Sequence, residues 1–176
     1  MRRPARDGDV DGDGREDRVT ATQDLLTVVL TSGRTVTAPV TADTEPPVQG
    51  VVDVDGDGRA EVFLETTRGA STVFYTPFRF DGTTLGALQL GGEPALLGVG
   101  GTVTHGEGFA CAKGTLLVTS STSDDGETFD VTSTTYAVSG FGLRQSGRAV
   151  ARGLAQDDPR VAASYQVDCG SVTQDG

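Results

Sequence analysis

Residues 50–62 read GVVDVDGDGRAEV, and residues 8–19 read GDVDGDGREDRV. The phrase DVDGDGR stands in both, with Asp53 following Asp9 by 44 residues. In the second copy, Asp53, Asp55 and Asp57 take positions 1, 3 and 5 of a loop. Gly58 is position 6, where the chain turns sharply. Arg59, at position 7, can offer only its backbone carbonyl, and Glu61 is position 9. The first copy puts Asp9, Asp11, Asp13, Gly14, Arg15 and Asp17 in the same slots. Alternate carboxylates around a glycine turn converge on one point and suit a hard cation that takes six to eight oxygens. Two like charges about 4 Å apart repel by about 4 kcal/mol near a protein surface, so four carboxylates would open such a loop unless a cation neutralised them. Calcium is the expected occupant at both sites. Magnesium demands a stricter octahedron, and zinc wants His or Cys, which neither loop contains. Asp-Gly pairs also make metal-free turns. A five-slot match that occurs twice in register, with strand-like sequence behind both copies, is a stronger signal than one DGDG.

Outward from the loops, period-two alternation is common and helical period nearly absent, which predicts an all-β chain. LLTVVLTSGRTVTAPV (25–40) reads as a hairpin with its turn at Ser32–Gly33. STVFYTPFRF and DGTTLGALQL (71–90) read as a second, turning at Asp81–Gly82. Phe74, Phe78 and Phe80 share one face there, and Pro77 argues for an edge strand or a bulge. Residues 114–147 form a meander, and 39–48 an exposed connection. One short helix is expected after Asp158, its cap, with Pro159 in the first turn.

These pieces recur in order. One all-β domain over 1–176 is expected, with repeat 1 at about 8–47, repeat 2 at about 50–100, a degenerate repeat 3 at about 108–147 and a closing segment at 148–176. The period suggests tandem antiparallel repeats of propeller-like form, small or incomplete. The motif D-x-D-G-D-G-R-x-[DE] resembles the FG-GAP/VCBS calcium-binding repeat found in integrin-α-like β-propellers. The resemblance covers about 8–90 and fades to a hairpin pattern beyond. It implies calcium in hairpin loops at a blade rim, in secreted or surface proteins. Carried over by position, its ligands are Asp9, Asp11, Asp13, the Arg15 carbonyl and Asp17, then Asp53, Asp55, Asp57, the Arg59 carbonyl and Glu61.

The net charge of -11 makes nucleic acid and anionic membranes poor partners. No apolar run reaches 18 residues, so no membrane insertion is expected. Cys111 and Cys169 suggest one disulfide in an oxidising compartment, two buried thiols being the alternative. In the opening MRRPARDGDV no apolar segment follows the arginines, so it does not read as an intact signal peptide, and the disulfide implies an export signal on the natural precursor that this sequence lacks. Asp7 could add an oxygen, but a register starting at Asp7 puts Arg15 at position 9, where no ligand would result. His105, the only histidine, reads as a surface residue, and Asp124, Asp125 and Glu127 as a solvated hairpin tip. No catalytic constellation is recognisable. The expectation is a secreted calcium-binding module with a structural or binding role and an unknown protein or glycan partner. The alternatives are a carbohydrate-active enzyme or accessory domain, and a calcium or lanthanide carrier or sensor.

Overall fold

The computed structural model describes residues 8–112 and 114–174. The reading of the opening MRRPARD as lacking a signal segment, and of Asp7 as a spare ligand, falls outside them. Fifteen strands and one short helix follow in order. They are β1 (Arg18–Ala21), β2 (Leu25–Val29), β3 (Thr35–Pro39), β4 (Val48–Val52), β5 (Glu61–Arg68), β6 (Thr72–Phe80), β7 (Leu85–Ala87), β8 (Gln89–Leu90), β9 (Glu93–Pro94), β10 (Leu97–Thr102), β11 (His105–Ala112), β12 (Thr115–Thr122), β13 (Thr128–Ser139), β14 (Gly142–Ala155), α1 (Pro159–Ala163) and β15 (Val167–Asp168). The chain is all-β, as its alternation predicts. Helix α1 forms where expected, with the Asp158 side chain accepting the Arg160 N–H and Pro159 opening the first turn.

Strands β1–β2–β3 make a small antiparallel sheet. The others form one large mixed sheet in the order β4-β5-β6-β10-β11-β12-β13-β14-β8-β9, with β7 beside β6 and β15 beside β11. All three sequence-read units of pairing are present: the β2–β3 hairpin, the β6–β7 hairpin and the β12–β13–β14 meander. Segment 85–90 draws the large sheet back on itself, because β7 pairs with β6 while β8, two residues on, pairs with Gly142 at the start of β14. Leu88, between them, is buried and donates its N–H to the Pro77 carbonyl.

Pro77 predicted an edge or a bulge, yet β6 is flanked on both sides. On one edge it meets β10 through Thr72–Tyr75 and β7 through Phe78–Phe80. Pro77 occupies the gap between those two pairings, where β6 tolerates a residue without an N–H.

Two cores share β5 and β6. Val62, Leu64, Phe78 and Phe80 point toward the small sheet and pack with Leu26, Val28 and Val36. Phe63, Val73 and Tyr75, on the opposite face, pack with Phe109, Leu116, Leu143 and Leu88. A strand buried on both faces needs apolar residues in both phases, which is why EVFLET lacks clean alternation. Residues 148–155, expected in the closing segment, continue β14 instead, and only the residues after them form a separate closing stretch. Cys111 and Cys169 form a disulfide, β15 runs parallel to β11, and the Thr173 N–H donates to the Gln49 carbonyl in β4.

A candidate metal centre in two stacked loops

Both acidic phrases fold into the same loop. In the first, Asp9 Oδ1 accepts from the N–H of Gly12 at 2.7 Å and Asp9 Oδ2 from Gly14 at 2.7 Å. In the second, Asp53 Oδ1 accepts from Gly56 at 2.8 Å and Oδ2 from Gly58 at 3.1 Å. Asp11 and Asp55 each accept from the residue two ahead, at 3.1 Å in both loops. Asp13 and Asp57 do the same at 2.8 Å. The closing carboxylate folds back, with Val10 donating to Asp17 at 2.8 Å and Val54 to Glu61 at 2.9 Å. Gly14 and Gly58 adopt φ of 87° and 93°, a region that a residue with a Cβ rarely enters. The turn at position 6 therefore requires glycine in both copies.

This scaffold brings oxygens together. One oxygen each from Asp9, Asp11 and Asp17 lie within 4.8 Å of one another, and so do oxygens of Asp53, Asp55 and Glu61. Each triad could hold a metal ion. An all-carboxylate donor set of this spread fits a hard cation such as calcium better than zinc or copper. Asp13 and Asp57 stand outside the triads. Their second oxygens meet groups at or just past the end of the unit's second strand: Thr31 Oγ, in the turn after β2, donates to Asp13 Oδ2, and Arg79 Nη2, on β6, reaches Asp57 Oδ2 at 2.6 Å. The Arg15 and Arg59 N–H groups bond to Asp13 and Asp57, which fixes the peptide planes at position 7.

The two loops are neighbours. Ala60 donates to the Asp9 carbonyl at 2.8 Å, and Arg59 Nε reaches the Asp11 carbonyl at 3.4 Å. A Cβ on Gly12 would stand 2.7 Å from the Gly58 carbonyl oxygen, so the backbones approach more closely than any other residue permits. The hairpin tips join the same end, since Arg34 donates to the carbonyls of Gly82 and Thr83.

Arg79 escaped the sequence reading. It lies one step beyond the Val62–Phe78 pair, opposite Glu61, and its Nη1 contacts Asp55 Oδ2 at 2.5 Å and Glu61 Oε1 at 3.1 Å. Its signal was its phase, because it alternates against Phe74, Phe78 and Phe80 in STVFYTPFRF. That phase also looks inward, a fact only the second core reveals.

Burial raises the carboxyls of Asp11, Asp17 and Asp53 above their ordinary range, with neighbouring carboxylates adding to the rise. Glu61 is completely buried. Desolvation pushes it from 4.5 up to about 8, against the opposing pull of the Val54 N–H and the Arg79 charge. The folded Glu61 thus holds its proton more tightly than the unfolded chain does. Its stabilising share is complete below about pH 4.5 and disappears as pH climbs through about 8. Without divalent cations, the melting temperature is expected to fall steadily between those values, and Glu61→Gln to flatten that slope. Calorimetric melts across the window check this; a wild-type Tm that rises through it contradicts the assignment.

The other sequence candidates stay apart from the loops. Asp125 caps its own hairpin turn by accepting from Glu127 and Thr128, which holds its carboxyl well below the usual range. His105 is exposed and 3.4 Å from Glu107. No helix among the described residues is long and apolar enough to cross a membrane. The chain matches no family model, no curated protein and no solved structure.

Proposed function

We propose that this chain is a calcium-binding β-repeat module of the FG-GAP/VCBS kind, with a structural or binding role outside the cytoplasm. The observation that carries the reading is the first loop's triad. Asp9, Asp11 and Asp17 present oxygens within 4.8 Å of one another, on a loop whose shape is already set by backbone donors. The carbonyls of Arg15 and Arg59 supply the further oxygen that position 7 provides in such loops. The module's tandem, propeller-like organisation is supported by the shared hydrogen-bond pattern at a spacing of 44 residues. It is supported too by the shared order of loop, strand, strand, turn and strand in β1–β3 and in β5–β7. The Cys111–Cys169 disulfide suits an oxidising compartment, and calcium there is millimolar. The partner surface would be a protein or glycan, with the rigidified loops and hairpin tips as its platform.

Extracellular modules bind calcium with dissociation constants of about 10⁻⁴–10⁻³ M, which at millimolar calcium stabilises by about 1 kcal/mol per site. Melting in calcium against EDTA is expected to show a gain of a few degrees, of which Asp11→Ala removes at least half. Identical melts in the two buffers would end this reading. Binding at micromolar concentrations or below would instead favour a carrier or sensor.

A further inference from the structure

Resting on that calcium reading, we propose that Arg79 is a tethered counter-cation of the second loop, which makes the first loop the tighter calcium site. The two loops share a backbone but not a charge environment. In the turn just past β2, unit 1 sends the neutral Thr31 hydroxyl to Asp13 and the Thr31 N–H to Asp17. At the end of β6, unit 2 sends a guanidinium to the matching aspartate, Asp57, and onward to Asp55 and Glu61. Asp55 and Glu61 belong to the second oxygen triad. Among the described residues, no lysine or arginine nitrogen comes within 4.0 Å of a carboxylate in the first loop.

A guanidinium forked between two aspartates is strong, directional neutralisation. Arg79 is also well anchored, with a side chain only 10% exposed and a stem rising from a strand paired on both edges. A divalent cation on Asp53, Asp55 and Glu61 must take oxygens from Arg79 or stand beside its charge. Either route lowers affinity at the second loop. In the first loop the same cation displaces no lysine or arginine of the described residues. The second loop is thus neutralised by an arginine when calcium is scarce, and among the described residues the first has no such counter-charge.

Calorimetric titration of the chelator-stripped full chain with calcium tests this. Asp53→Asn isolates the first loop and Asp11→Asn the second. The first loop is expected to bind at least tenfold more tightly. Arg79→Gln, which removes the charge, is expected to tighten the second loop at least tenfold, and Arg79→Lys, which keeps it, to leave that loop weak. Equal affinities in Asp53→Asn and Asp11→Asn would overturn the inference even if Arg79→Gln failed to fold. So would a second-loop affinity in Arg79→Gln within twofold of wild type. Absence of calcium binding in wild type would overturn the calcium reading itself, and the inference with it.

Discussion

Phe109→Ala lowers stability by about 4 kcal/mol, the usual cost of emptying a buried aromatic site. For a chain of this size that corresponds to a melting temperature about 10 °C lower. Phe109 lies on β11 with 2% of its surface exposed. Its ring is stacked on Phe63 with centroids 5.8 Å apart, and it meets the Tyr75 ring edge-on at 5.6 Å. Those two rings come from β5 and β6, the strands that carry Glu61 and Arg79, so the cluster holds the second loop's base. The cavity cannot collapse easily, because Phe63 and Tyr75 beside it are fully buried on strands paired on both edges within the large sheet. Val103→Ala, at a position 78% exposed, is the control and is expected to change stability by less than about 0.5 kcal/mol. A Phe109→Ala melt within 3 °C of wild type would show that this core is not the one stabilising the large sheet.

Replacing both Cys111 and Cys169 by alanine is expected to cost a similar amount, about 4 kcal/mol, because a bridge spanning a sequence separation of 58 removes much freedom from the unfolded chain. The loss has a local signature as well. From Gln166 on, the chain meets the rest of the molecule through isolated bonds rather than a long ladder: Phe109 to the Gln166 carbonyl, Thr173 to Gln49 by backbone and side chain, Tyr75 to the Thr173 carbonyl, and a Ser171 hydroxyl shared with Val51. Amides from Val167 to Thr173 should therefore lose exchange protection first, while the β12–β13–β14 meander keeps its own. If protection fell uniformly instead, the bridge would be acting on the whole sheet rather than on the segment it closes. Calcium affinity at the first loop, which shares no strand with the closing segment, should change little.

Much of the candidate site was legible beforehand because its interactions are local. Asp9 bonds to residues three, four and five positions ahead, and Asp53 to residues three and five ahead. A seven-residue phrase contains all of those partners, and its glycines stand where φ must be positive. The hairpins were legible for the same reason, since their pairing follows from turn residues between alternating strands. Thr31 and Arg79 were not legible as loop partners. They lie 18 and 22 residues from Asp13 and Asp57, and meet them only through strand register.

By itself, then, the sequence settled the all-β class, two like acidic loops and the capped helix at Pro159, all written in short-range spacing and residue chemistry, while Cys111 and Cys169 stood as a disulfide or two thiols until the fold brought them together. Tertiary packing alone decided that β6 is buried on both faces, that the loops touch, and that an arginine enters one loop but not the other. The physical reason is that a strand's two phases look equivalent until a second sheet covers one of them. Only then does a charged residue between phenylalanines become a cation facing three carboxylates.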